Sequence, residues 1–148
     1  MSTENFDERQ LKIQGDIFKH MFFILMCLII FNTFLLGFGV VWAPAWSSGF
    51  IVLLVAVAAG SIEMIFREVY IGNRNARWVP IIPIALGILS GGLMLKIALF
   101  LLSSGEAFAA AGQLTNNGSG FVMMLLIFSI FVGYIVKLLF SRKAKQEE

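Results

Sequence analysis

The sequence predicts an all-α integral membrane protein with four transmembrane helices and with both the N-terminus and the C-terminus in the cytoplasm. Of its 148 residues, 59% are hydrophobic and only 14% are charged, whereas soluble domains average about half apolar and about a quarter charged. The apolar residues form four long runs, and the basic residues fall on alternate connections between these runs. Such a composition excludes a disordered chain, a collagen and a soluble enzyme of ordinary make-up.

Each apolar run is long enough to cross a bilayer as a helix, because a hydrocarbon core of ~30 Å takes ~20 helical residues. Almost no polar face remains on any run, and a helix of a soluble bundle needs one. We therefore expect a single membrane domain over 1–148, with a cytoplasmic segment at 1–19, helices at about 20–42, 50–70, 78–102 and 120–140, and a cytoplasmic tail at 141–148.

The distribution of basic residues predicts the orientation. Ten of the eleven Lys and Arg residues lie before helix 1, between helices 2 and 3, or at the end of helix 4. The connections at 43–49 and 103–120 contain none. By the positive-inside rule the basic segments are cytoplasmic. Trp42 and Trp46 flank the first outer connection, where indole rings favour the headgroup level.

The segment before helix 1 carries charges of both signs and is predicted to be helical. Phe6, Ile13 and Ile17 lie near one face at spacings of seven and four residues. This segment either extends helix 1 along the headgroups or forms a docking surface for a cytoplasmic partner. The candidate docking residues are Phe6, Asp7, Glu8, Arg9 and Ile13.

The tetrad Asp7-Glu8-Arg9-Gln10, a short basic linker and four apolar helices resemble a group of small, largely uncharacterised membrane proteins of Gram-positive bacteria. In that group an Asp-Glu-Arg-Gln segment precedes the first helix, and some members accompany a small helix-turn-helix regulator. The resemblance implies a bacterial membrane accessory or regulatory protein and supplies no catalytic residues.

A candidate polar cluster lies at the inner third of the predicted membrane domain. Glu63 is ~20 Å from the outer start of helix 2, and Arg67 follows one turn later on the same face. Tyr134 and Lys137 fall at similar depths on helix 4. Glu63 is either a proton- or cation-responsive carboxylate or a carboxylate held by Arg67 or Lys137 that joins helix 2 to helix 4. The closeness of Arg67 favours the second interpretation.

Three other polar residues interrupt or border the helices. Asn32 lies near the middle of the predicted helix 1 and is expected to bond across a helix interface. Lys96 lies ~9 Å below the outer end of helix 3, so we expect it to extend its ammonium to the headgroups rather than to bind a substrate. His20, at the cytoplasmic edge of helix 1, is expected to be solvated rather than to sense pH.

Small residues four apart predict close helix packing. Helix 2 contains Ala56 and Gly60, and helix 3 contains Gly87, Gly91 and Gly92. We expect these residues to pack helix 2 against helix 3 within one chain, with a homodimer contact as the alternative. In the second outer connection, residues 106–112 are expected to extend helix 3, and residues 113–120 to form a flexible loop.

The sequence provides no recognisable catalytic constellation. It has one His and one Cys, and no HExxH, GxSxG, Walker or CxxC motif. We expect no enzyme activity, no cofactor, no metal and no direct nucleic-acid binding. The predicted function is that of a non-enzymatic multi-pass protein of the cell membrane, acting through a protein partner or a homodimer in a regulatory, immunity or accessory role, such as holding a cytoplasmic regulator. The alternatives are a small dimeric ion- or proton-coupled transporter using Glu63 and a small subunit of a larger membrane complex.

Overall fold

The computed structural model describes residues 8–67, 69 and 81–144, and this part of the chain is helical except for its connections and one short hairpin. All four helices are long and apolar enough to cross a membrane, which confirms the prediction of four such helices. The elements are α1 (Glu8–Gly37), α2 (Ala45–Phe66), α3 (Ile81–Ser104), β1 (Ala109–Ala110), β2 (Gln113–Leu114) and α4 (Asn116–Ala144).

Helix α1 includes residues 8–19 of the charged segment that precedes the first apolar run. It has 30 residues and is therefore ~45 Å long, against ~30 Å for a hydrocarbon core. Its described part starts at Glu8 rather than near residue 20, so the charged segment and the apolar run form one continuous helix. About ten residues of this helix exceed what a perpendicular crossing requires.

Helix α1 also ends five residues before the predicted position. Gly39 adopts a φ of +77°, a left-handed conformation that glycine adopts without strain. The amides of Gly39 and Val40 donate hydrogen bonds of 3.0 and 2.9 Å to the carbonyls of Leu36 and Leu35, respectively. This pattern is a Schellman motif, which ends the helix at Gly37.

The four helices pack in the order α1, α2, α4, α3. Helix α1 is antiparallel to α2, since Met21 lies beside Gly60 while Gln14, nearer the start of α1, bonds Val69, just beyond the end of α2. Helix α4 runs parallel to α2 and antiparallel to α3. Because α4 lies between them, α2 and α3 are not packed neighbours in the described part of the chain.

Gly60, one of the two small residues of α2, faces a different helix from the expected one. A Cβ added at Gly60 would lie 2.5 Å from the Sδ atom of Met21, so this glycine admits a side chain of α1. Ala56, one turn earlier, is 1% exposed. The expectation that Gly60 packs helix 2 against helix 3 is wrong, because α1 covers this position.

The small residues of α3 face α4 instead of α2. A Cβ added at Gly87 would overlap the side chain of Phe131, and one at Gly91 would lie 3.2 Å from the ring of Phe128. Gly92 has nothing within 4 Å of an added Cβ. Two of the three glycines thus allow close helix packing, as predicted. Their partners are aromatic side chains of α4, whereas helix 2 was expected.

A tight hairpin and a capped helix occupy the connection between α3 and α4. The turn residues Ala111 and Gly112 have φ values of 51° and 79°, which is the conformation of a two-residue type I′ turn. Helix α4 starts at Asn116, because Thr115 Oγ1 accepts a 3.0 Å hydrogen bond from the amide of Gly118 and caps the helix. The strands replace the predicted extension of helix 3, and the first turn of α4 replaces most of the predicted flexible loop.

Candidate functional site

The four helices lie side by side in the order α1, α2, α4, α3, and the two ends of this helix row differ chemically. The basic end comprises the start of α1 and α3 and the finish of α2 and α4, and the hairpin end is the opposite one. Among the described residues, Lys96 is the only Lys or Arg that does not belong to the basic end. The described basic-end residues of this type are Arg9, Lys12, Lys19, Arg67, Lys137, Arg142 and Lys143.

At the basic end, Glu63 joins α1 to α2. Its Oε1 atom lies 2.8 Å from Nη2 of Arg67, one turn along the same helix. The same oxygen lies 3.3 Å from Nδ1 of His20 on α1, and Oε2 lies 3.4 Å from that nitrogen. The Glu63 side chain is 26% exposed and that of His20 is 55% exposed. The carboxylate is therefore held between a guanidinium and an imidazole at the edge of the helix row.

Lys137 and Tyr134 lie at the α2–α4 contact. Lys137 Nζ donates a 2.7 Å hydrogen bond to the carbonyl oxygen of Ile65, next to the last residue of α2. A cation at a helix C-terminus satisfies an unpaired carbonyl and interacts favourably with the helix dipole. Tyr134 packs against a small apolar core formed by Ala58, Ile65 and Ile130.

The predicted polar cluster is thus distributed over two helix contacts. Glu63 and Arg67 form the expected ion pair, while Lys137 holds the end of α2 through a backbone carbonyl. The sequence interpretation missed His20, which was expected to be solvated. The sequence contained a signal for this contact. If helices 1 and 2 are antiparallel neighbours, His20 near the start of helix 1 lies level with Glu63 near the end of helix 2.

The start of α1 is fixed against the end of α2. Gln14 Nε2 donates a 3.3 Å hydrogen bond to the carbonyl of Val69, and Ile17 is fully buried. Ile13 is half-buried on the same face. The face that the spacing suggested for docking is therefore used partly within the chain, and the candidates Phe6 and Asp7 lie outside the described residues.

A second face of the same segment remains open. Leu11 and Phe18, seven residues apart, are 51% and 52% exposed. Glu8 and Arg9, two of the predicted docking residues, are exposed at the start of the helix, as is Lys12. This open face combines the apolar stripe of Leu11 and Phe18 with the charges of Glu8 and Lys12 on one flank, and the seven-residue spacing of Leu11 and Phe18 is its signal in the sequence.

At the hairpin end, Asn32 has a local partner. Its Oδ1 atom accepts a 2.8 Å hydrogen bond from the indole Nε1 of Trp42, and the carbonyl of Trp42 accepts a 2.9 Å bond from the amide of Leu114. Because α1 ends at Gly37, Asn32 lies near a helix end rather than near the middle. It orders the α1–α2 connection beneath the hairpin, and within the described part of the chain it makes no bond across a helix interface.

Two side-chain bonds connect the first turns of α2 and α4. Trp46 Nε1 donates to Oδ1 of Asn116 at 3.3 Å. Ser47 Oγ donates to Ser119 Oγ at 3.1 Å, and both serines are completely buried. Buried hydroxyls are costly unless they are hydrogen-bonded, so this pair fixes the register of the parallel α2–α4 contact.

Lys96 occupies an open surface between α3 and α4. Its side chain is exposed, and the residue lies eight positions before the end of α3, or ~12 Å along the helix. It lines a pocket of about 340 Å³ together with Leu93, Ile97, Phe100 and Asn117. The pocket thus has a polar part and an apolar part.

Comparison with known proteins identifies no relative of this chain. No family model, no curated protein and no solved structure matches the chain. The resemblance to small Gram-positive membrane proteins stays a prediction. The functional argument therefore rests on the chain's own geometry, and above all on the two ends of the helix row.

Proposed function

We propose that the chain is a non-enzymatic multi-pass membrane protein that acts by holding a protein partner at the cytoplasmic face of the cell membrane. The partner docks on the open face of the α1 segment that extends beyond the bilayer. The single observation that carries this proposal is the continuity of α1, because it turns a charged leader into a rigid extension of a membrane helix.

The first residues of α1 have the features of a docking element. Counting ~20 residues back from Gly37 brings the membrane boundary close to Phe18, so Leu11 lies beyond the bilayer. A large apolar side chain that is 51% exposed there leaves about half of its surface uncovered by the described part of the chain, at a height that lipid tails do not reach. An amphipathic surface of a cytoplasmic protein, with an apolar patch flanked by charges, is the complementary partner.

The anchoring of this segment supports the same role. Ile17 is buried, and Gln14 donates a hydrogen bond to the carbonyl of Val69. These contacts hold the orientation of the helix beyond the bilayer before a partner arrives. A preordered docking helix loses less conformational entropy on binding than a disordered leader does.

Site-specific photo-crosslinking in living cells tests the proposal. A photoreactive amino acid replaces Leu11 in the full chain, and irradiation is expected to give a discrete adduct with a cytoplasmic protein. The matched control places the same amino acid at position 102, since Leu102 is 81% exposed at the hairpin end. That control is expected to give no cytoplasmic protein adduct.

The size of the adduct separates the possible outcomes. An adduct of twice the chain's mass would replace the partner by a homodimer contact. The absence of any protein adduct at position 11, in a chain that is otherwise inserted normally, would overturn the docking proposal. Equal adducts at positions 11 and 102 would show non-specific capture and would overturn it as well.

The contacts of Glu63 favour a structural role over the alternative of a proton-coupled transporter. A coupling carboxylate has to exchange protons or substrate, whereas Glu63 lies 2.8 Å from Arg67 and 3.3 Å from His20. Flux in liposomes that is lost in Glu63→Gln would reverse this preference. Native mass spectrometry in detergent distinguishes both proposals from a subunit of a larger membrane complex.

A further inference from the structure

We propose that the pocket around Lys96 binds the phosphate group of a phospholipid from the leaflet at the hairpin end. The proposal depends on membrane insertion but not on the docking role of α1. It assigns a ligand to the one described basic residue that does not follow the charge pattern of the chain.

The first argument is the unpaired state of Lys96. Its ammonium group forms no hydrogen bond or ion pair with any described residue. A lysine about 12 Å from the end of its helix lies within the bilayer, where an uncompensated charge is costly. The long apolar stem lets the ammonium reach toward the headgroups, and lipid phosphates are the anions present at that level.

The second argument is the composition of the pocket. Lys96 and Asn117 supply polar groups, while Leu93, Ile97 and Phe100 supply an apolar wall, around a volume of about 340 Å³. An amphiphile with an anionic head and an acyl chain fits this division. The phosphate oxygens would accept hydrogen bonds from Lys96 and Asn117, and the apolar wall would contact the acyl chain of the lipid.

The third argument is the hydrogen-bonding capacity of Asn117. Its Nδ2 atom donates a 2.7 Å bond to Oε2 of Glu106, which fixes the orientation of the amide. A side-chain amide carries two N–H donors, so one donor remains for a phosphate oxygen. Lys96 then supplies the positive charge, and Asn117 supplies a directed neutral donor.

The test measures lipid binding to the purified full chain in detergent by native mass spectrometry. Phosphatidylglycerol is the phosphate-bearing probe, and a glucosyl diacylglycerol with the same acyl chains is the phosphate-free probe. We expect Lys96→Gln to weaken phosphatidylglycerol binding about tenfold, which is the size expected for one lost charge-assisted hydrogen bond. Glucosyl diacylglycerol binding is expected to stay unchanged.

The matched control is Lys19→Gln, which removes one positive charge at the basic end. Lys19 is exposed, and its one polar contact with the described residues is at 3.4 Å to Asp16, so this variant keeps the fold. It is expected to bind phosphatidylglycerol within about twofold of the wild type, because an exposed pair of this kind contributes little. Lys96→Arg, which retains the charge, is expected to recover most of the affinity.

Three results would overturn the proposal. Equal losses in Lys96→Gln and Lys19→Gln would indicate general electrostatic attraction instead of a site. Equal binding of the two lipids to the wild type would exclude phosphate recognition. Competition by millimolar inorganic phosphate as effective as that by the lipid would assign the site to a soluble phosphate and not to the membrane.

Discussion

The Glu63 carboxylate is one of the contacts between α1 and α2 at the basic end. Glu63 contacts Arg67 on its own helix and His20 on α1, at 2.8 and 3.3 Å. Since Arg67 is the C-cap of α2, the contact with His20 is the one contact of Glu63 among the described residues that connects different helices. The specific contribution of Glu63 to the α1–α2 contact therefore depends on a residue that the sequence alone marked as solvated.

A double-mutant cycle measures this contribution. His20→Gln and Glu63→Gln are expected to be coupled by about 0.5–1 kcal/mol in the free energy of unfolding, the size expected for one partly exposed side-chain hydrogen bond. The measurement is unfolding of the purified protein in mixed detergent micelles. In the control cycle, His20→Gln combined with Lys96→Gln is expected to be additive, because Lys96 lies outside the basic end. Coupling of equal size in both cycles would contradict the contact.

Residue contacts could be predicted from the sequence only where the partners are close along the chain. The Glu63–Arg67 pair follows from the four-residue spacing on one helix. The contacts of Asn32 with Trp42 and of Lys137 with Ile65 depend on where a helix ends and on how it is rotated. Neither quantity is fixed by hydropathy, because an apolar membrane helix has no polar face that reveals its orientation.

The existence of each helix is easier to predict from the sequence than the neighbour against which it packs. An apolar run of the right length predicts a helix, and all four exist. The glycines of α3 correctly predicted close packing, but α4 and not α2 fills the space beside them. The shape of one helix surface shows that a neighbour approaches closely without showing which neighbour it is.

Two glycines of α3 provide a matched test of this packing. Gly87→Ala is expected to destabilise the protein by about 1–3 kcal/mol relative to Gly92→Ala, because an added methyl group at Gly87 overlaps Phe131 and forces repacking. At Gly92 the space beside an added Cβ is open. Both substitutions gain the same intrinsic helix propensity, so their difference isolates packing. Unfolding in mixed micelles measures it, and equal stabilities would contradict the α3–α4 contact.

For the whole molecule, the arrangement of charge predicts how the chain is oriented. Cysteine labelling tests the orientation in a Cys27→Ala background that carries either Lys12→Cys or Ser104→Cys. A membrane-impermeant maleimide is expected to label position 104 in intact cells, and position 12 only after permeabilisation. Labelling of position 12 in intact cells would reverse the topology and would remove the basis for a cytoplasmic docking helix.

The helix order also has a consequence for biogenesis. Synthesis from the N-terminus delivers α1 and α2 first, and these two are direct neighbours that can pair as soon as both are inserted. Helix α3 emerges next, but its packing partner is α4, which is made last. If the helices insert into the membrane in this order, α3 lies in the lipid or beside the insertion machinery with the cleft at Gly87 and Gly91 unfilled until α4 arrives. Only the final helix joins the two halves, so a ribosome that stops before α4 leaves an α1–α2 hairpin and a solitary third span.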